Sequence, residues 1–316
     1  MQKTIYISND LTSFEYYKSV LPEIKTILKY YDKIKEVIFD FSGTYKIEPN
    51  VIPNLLCLGR VIHSLTGYKA VIRIPDTYSG GKLKNYLYLI GFTRLAKNNF
   101  EFESDPYTGF EGKKIDPLCG TIFFDEEIKE SEIERGIDEL VGPFAERYLK
   151  KYNVYRLEDG QIENNIENLL KELAANAASH GESYSYTTVH AKYSIKKIFI
   201  AISDSGIGFW KSCQKKHREE LEDRGYELRN EVEAILYCIY MRKGSQIFGL
   251  YAVIYNTIKA GGIVRIHSNN AQVIFTPRIL TEFESQSLLK DRDFWKCNVK
   301  RGLEFSGTHI EIEIPF

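Results

Sequence analysis

Residues 171–181 read KELAANAASHG, and they place Glu172, Asn176 and His180 at i, i+4 and i+8. In a helix those three side chains form one polar stripe. Leu169, Leu170, Leu173, Ala174 and Ala177 form the apolar surface beside it. A solvated face of an ordinary amphipathic helix would use the same residue types. The segments on either side decide between a wet face and a site.

Downstream, TTVHAKYSIKKIFIAISDSGIGF (187–209) predicts a hairpin of two strands, Val189–Tyr193 and Ile198–Ser203. The second strand delivers Asp204 to a sheet edge, followed by Gly206 and Gly208. A carboxylate at a strand end accepts from a ligand amino group, and the glycines let backbone approach a flat ring or a phosphate. A plain surface turn has the same letters. Next, RKGSQIFGLYAVIYNTIKAGG (242–262) predicts a helix that opens at Gly249, carries Leu250, Val253, Ile254 and Ile258, and stops at Gly261–Gly262. Free amides at its start suit an anion. Gly244 stands in the preceding loop, with Arg242 and Lys243 either adding charge near a phosphate or sitting solvated. GIVRIHSNNAQVIF (262–275) predicts a hairpin turning at Asn269–Asn270, and SGTHIEIEIPF (306–316) a last strand alternating Ile310, Ile312 and Ile314 with charge.

Upstream, KEVIFDF (35–41) and GYKAVIRIP (67–75) read as strands. VIPNLLCLGRVIHSL (51–65) and KLKNYLYLIGF (82–92) read as helices, the second ending at Gly91. Strand, helix, strand, helix implies a small sheet with helices packed on it. His63 falls within the apolar helix and reads as a packed core or edge histidine. Residues 106–160, including EIERGIDELVGPFAERYLKKY (132–152), read as a connecting helical segment.

The whole chain of 316 residues is long for one core, so two domains are expected. Its composition is that of a soluble protein: 43% hydrophobic, 27% charged, formal net charge -1. So small a charge gives no argument for nucleic acid or a membrane surface. The N-terminus has no signal-like apolar run, and no stretch reaches the roughly 20 apolar residues of a membrane span. A cytoplasmic protein is expected. Cys57, Cys119, Cys213, Cys238 and Cys297 have neither CxxC nor zinc spacing, and reduced, mostly buried thiols are expected.

The ordered set ELAANAASHG, DSGIGF, GSQIFGLYAV and SGTHIEIEIP resembles the boxes of the GHKL nucleotide-binding fold shared by DNA gyrase B, sensor histidine kinases and anti-sigma-factor serine kinases. The resemblance covers residues 161–316 and implies an α/β (α+β) sandwich with a mixed sheet covered by helices. It implies ATP and Mg²⁺, with the polar stripe facing the nucleotide. Carried over, Asn176 holds Mg²⁺, Asp204 accepts from the adenine amino group, and Gly206 and Gly208 admit the base. Gly244, Gly249 and Leu250 belong to the phosphate-binding box, Thr308 supports the adenine contact, and Glu172 matches the general base. His180 matches a frequent histidine after the first box. Ile247 departs from the pattern, standing where a glycine is usual, which favours binding over turnover.

Residues 1–105 resemble a STAS domain, carried by VIFDFSG (37–43) and LYLIGF (87–92). EPNV (48–51) replaces the family's Asp-Ser-Ser-Gly, so Asn50 stands where a serine is phosphorylated. A phospho-switch is therefore not expected there, and the module is expected to dock a protein or the ATP domain itself. Two functions follow: an ATP-dependent signalling enzyme, ATPase or serine/threonine kinase, or a non-catalytic nucleotide-gated binding protein. A homodimer is left open. Trp295 and Phe294, within 277–306, are read as satellite core or a partner surface.

Overall fold

The computed structural model describes residues 1–107, 119–125, 129–144, 170–171, 173–174, 177, 183–223, 225–241, 249–302 and 304–315. Strands β1 (Gln2–Tyr6), β3 (Glu36–Asp40), β5 (Ala70–Arg73) and β6 (Phe100–Phe102) form a 4-stranded parallel sheet in that order. Beside it, β2 (Asp10–Leu11) and β4 (Lys46–Ile47) make a short parallel pair. Parallel neighbours need crossovers. Helices α1 (Leu21–Lys29), α2 (Val51–Thr66) and α3 (Tyr78–Leu89) supply them.

A second sheet of 7 strands is built from β7 (Cys119–Phe124), β8 (Ser185–Lys192), β9 (Lys197–Asp204), β10 (Ile263–Ser268), β11 (Ala271–Phe275), β12 (Val299–Arg301) and β13 (Thr308–Pro315). Their order is β12-β11-β10-β13-β9-β8-β7. Every pairing is antiparallel, where a mixed sheet was expected. Neighbours in this sheet meet through tight hairpins or by return of the chain from the opposite end, so no parallel crossover arises. The protein thus combines α-helices with parallel and antiparallel sheets. Among the described residues no helix is long and apolar enough to cross a membrane.

One face of the large sheet presents Ile200, Ile202, Ile266, Ile310 and Ile312 to α4 (Glu130–Phe144), the described turns of 170–177, α6 (Glu231–Tyr240) and α7 (Leu250–Lys259). Between α4 and α6 in the chain, α5 (Gly208–Lys216) follows β9 directly and packs on α6. The opposite face is covered by the first unit. Helix α2 packs on β8 and β9 as well as on β5 and β6. That position explains its composition: Val51, Ile52, Leu55, Leu56, Cys57, Leu58 and Ile62 are all buried, because the helix lies between two sheets.

The seam is polar at its centre. Asn54 Nδ2 donates to Glu311 Oε1 at 3.1 Å, and Tyr17 Oη donates to the same oxygen at 3.2 Å. Ser203 Oγ donates to Asn54 Oδ1, and Cys57 Sγ donates to the Ser203 carbonyl at 3.2 Å. Asn54→Ala leaves the buried Ser203 hydroxyl without its acceptor and removes one of the two donors to Glu311 Oε1. A loss of about 2 kcal/mol is expected, read as a lower urea midpoint at unchanged m.

The charged face of β13 is buried, with Glu311 and Glu313 at 0% and 7% exposure. One local expectation changes. Residues 106–160 are more than a connector: Cys119–Phe124 is the edge strand beside β8, and Ile133 and Ile137 of α4 enter the sheet's core. The apolar, β-prone CGTIFF run drives that pairing. Asn50, which carries no hydroxyl to phosphorylate, is fully buried at the start of α2. Within 277–306, Phe283, Leu288 and Phe294 join the core, and Trp295 Nε1 donates to the Leu288 carbonyl at 3.1 Å. Of the thiols, Cys57, Cys119 and Cys213 are buried and Cys297 is exposed.

Candidate functional site

Strand β9 ends at Asp204, which by the period of two lies on the helix-covered face with Ile200 and Ile202. It is 3% exposed. Its Oδ1 accepts from Gly206 N at 2.8 Å and from Thr308 N at 3.1 Å. The first bond is an Asx turn, the local reason an Asp-x-Gly sequence bends here. Burial pushes the carboxyl up to about 7, while the two amides act in the opposite direction. Both amides converge on Oδ1, so among the described residues no donor is spent on Oδ2.

Two close backbone approaches surround this carboxylate. Gly208, at φ +77, opens α5, and a Cβ there would fall 2.1 Å from Asn269 Nδ2. Gly307, at φ +99, would place a Cβ 2.1 Å from the Asp204 carbonyl oxygen. Asn269, at φ 46 in the β10–β11 turn, ties the segments together. Its Nδ2 donates to the Ile207 carbonyl at 3.0 Å and to Glu231 Oε1, and its Oδ1 accepts from Gly307 N at 3.1 Å. Glu231 Oε2 also accepts from Ser268 Oγ at 2.7 Å and from Trp210 N at 3.0 Å. Opposite Asp204 in the ladder stands Ser185, with Thr187 opposite Ile202. Both hydroxyls are buried on the same face with no hydrogen-bond partner among the described residues.

The fold therefore brings Asp204, Gly206, Gly208 and Thr308 to one end of the large sheet. Thr308 takes part through its backbone amide. Gly249 is the N-cap of α7, which packs on β10 and β13 from the same side, with Leu250 buried in the core. Glu172, Asn176, His180, Gly244, Arg242, Lys243 and Ile247 lie outside the described residues. Around the first three, Leu170, Leu173, Ala174 and Ala177 are helical and buried in the core, so the apolar surface of that helix meets the sheet. Sequence reasoning gives Asn269 only as a turn residue and does not point to Glu231, Ser268, Ser185 or Thr187. A second Asn in a turn, or a Ser in a strand, carries no signal until the chain brings distant segments together. No protein-family model matches the chain. No curated protein matches it either.

Proposed function

We propose that the second unit binds ATP with Mg²⁺ as a nucleotide-dependent signalling module of the GHKL class. The observation that carries this reading is Asp204: a buried carboxylate at a strand end, one oxygen held by two amides and the other without a donor among the described residues. Such an acceptor fits the amino group of adenine. The buried hydroxyls of Ser185 and Thr187 on the same face add polar capacity that the described protein does not use. Asn176, the carried-over Mg²⁺ ligand, and Glu172, the carried-over base, complete the reading from the sequence. ATP supplies the transferable phosphoryl group. The chain's own part is to orient the base and to exclude water around it.

A second reading, a non-catalytic switch gated by nucleotide, draws on the seam. Ser203, next to Asp204, is bonded to Asn54 and Cys57 of α2, so the first unit touches the strand that carries the adenine acceptor. Calorimetric titration with Mg·ATP tests binding. Asp204→Asn keeps an acceptor for the two amides but turns an amide donor toward the adenine donor. A tenfold to hundredfold loss of affinity is expected, about 1–3 kcal/mol. A folded variant that binds ATP as the wild type does removes the adenine assignment. Phosphate release by the wild-type protein then separates turnover from gating.

A further inference from the structure

The five cysteines are scattered along the chain, and their spacing pairs none of them. The fold brings two together. Cys213 of α5 and Cys238 of α6 are 25 residues apart in sequence, yet their Sγ atoms stand 3.3 Å from each other. A disulfide holds its sulfurs at about 2.05 Å, so the pair must close by about 1.3 Å to bond. Both residues lie in the last turn of their helices, Cys213 ahead of Lys216 and Cys238 ahead of Tyr240, where the backbone yields most readily.

Helices α5 and α6 pack on each other around a small core of their own, made by Cys213, Leu221, Leu228, Ala234 and Tyr237. Near their starts they are already tied, because Glu231 Oε2 accepts from Trp210 N at 3.0 Å. A bond between the thiols fastens the other end of the pair. Exposure divides the roles. Cys238 is half-buried, whereas Cys213 is 1% exposed. Thiol oxidation follows access, so a small oxidant meets Cys238 first and Cys213 resolves the product. Two thiols sealed from solvent would be inert packing. One reachable thiol with a second in contact is an oxidisable pair.

We propose that Cys213 and Cys238 are a modification site, a peroxide-sensitive dithiol that clamps α5 to α6 when oxidised. The Cys238 thiolate attacks one oxygen of hydrogen peroxide and the O–O bond breaks. The departing hydroxide takes up the thiol's proton as water, leaving Cys238 as a sulfenic acid. Cys213 Sγ then attacks Cys238 Sγ, the S–O bond breaks, and hydroxide leaves as water with the Cys213 proton. The thiols lose two electrons and two protons, and the peroxide becomes two waters. A dithiol reductant reverses the change. The inference uses these two helices alone and does not depend on the nucleotide reading.

The test uses the full chain with Cys297→Ser, which removes the exposed thiol. The protein is treated with millimolar hydrogen peroxide at pH 8, blocked with N-ethylmaleimide and mapped by peptide mass. One linked peptide pair carrying Cys213 and Cys238 is expected, and dithiothreitol should release it. Trp210 packs against the same small core, so tryptophan emission should change on oxidation and return on reduction. The oxidised protein should melt at a higher temperature than the reduced one, because the bridge constrains the unfolded chain. Cys238→Ser, at the half-buried position, should show neither link nor shift. Cys213→Ala keeps the core apolar and should leave the Cys238 sulfenic acid for dimedone to trap, roughly tenfold above the protein that retains Cys213. No link between Cys213 and Cys238, a link that forms only in urea, an unchanged thermal midpoint, or no dimedone label on Cys238 in Cys213→Ala would each overturn the proposal.

Discussion

Gly307→Ala is expected to destabilise the protein by about 4 kcal/mol or more, the largest effect of any single methyl group considered. Two penalties add. At φ +99 an L-residue is held in a conformation that costs about 1–3 kcal/mol. The new Cβ would also stand 2.1 Å from the Asp204 carbonyl oxygen and 2.6 Å from Ser205 Cα, which are backbone atoms and cannot rotate aside. Gly67→Ala separates the two: its φ is +75, but nothing lies within 4 Å of the added carbon. That variant should lose only about 1 kcal/mol. Urea denaturation of both variants reads the difference, and equal losses would remove the close approach at 307 from the account. Because the displaced atoms belong to Asp204 and Ser205, any Gly307→Ala protein that folds should, on the function proposed above, also bind Mg·ATP more weakly.

Glu311 gives the second large effect, through pH. It is fully buried on the seam face of β13, where Tyr17 and Asn54 donate to Oε1. Its nearest cation, Arg265 Nη1, is 3.8 Å from Oε2 and sits closer to Glu313, at 2.6 Å. Burial pushes the Glu311 carboxyl from 4.5 to about 7, against the pull of Arg265. Glu313 moves the other way: burial raises it, but Arg265 and Lys197 outweigh burial and hold it below its usual range. Folding thus raises the affinity of Glu311 for its proton. Its contribution to stability is fully present below pH 4.5 and is lost as pH rises through about 7. The size is about 3 kcal/mol. Glu311→Gln mimics the protonated acid and keeps an acceptor for Tyr17 and Asn54. It should match the wild type at pH 4 and exceed it by about 2–3 kcal/mol at pH 8. His309, fully buried and stacked on Phe305 at 4.7 Å, is held well below the usual histidine range by burial and by His267. It favours the folded state at higher pH, the opposite slope, but it is present in both proteins and cancels in their difference. A wild-type-minus-variant difference that stays flat from pH 4 to 8 would mean that Glu311 titrates in the folded protein as it does in the unfolded chain.

Most local elements were legible in the sequence because their signals are local. The run KEVIFDF became β3, the apolar periodicity of 51–65 became α2, and the IFIAIS run became the end of β9. Asn269–Asn270 made the hairpin turn, and Gly249 and Gly261 bracket α7. The Asp-x-Gly-x-Gly order placed Asp204 at a strand end, because the Asx turn to Gly206 is closed within three residues. The stripe of Glu172, Asn176 and His180 remains a reading of the sequence, for those residues lie outside the described ones.

What the sequence by itself determined is therefore each segment's type, its turns and the identity of the chemically able residues. The tertiary structure alone decided what each face meets. The alternation of Ile310, Glu311, Ile312, Glu313 and Ile314 fixes which side chains share a face, since the strand period is two. It does not say that the charged face is buried too, with Glu311 taken up by Asn54 of α2 and by Tyr17. Likewise Arg60, Tyr184 and Phe123 are separated by more than a hundred residues in one case and by about sixty in the others, and only the docking of α2 across the edge of the large sheet stacks them. Asn269 reads as a turn residue until Gly307 and Ile207 arrive beside it from elsewhere in the chain. The physical reason is the same in each case. Periodicity and turn chemistry act over a few residues, whereas burial of a charge or a contact across a seam depends on which surface arrives from far along the chain.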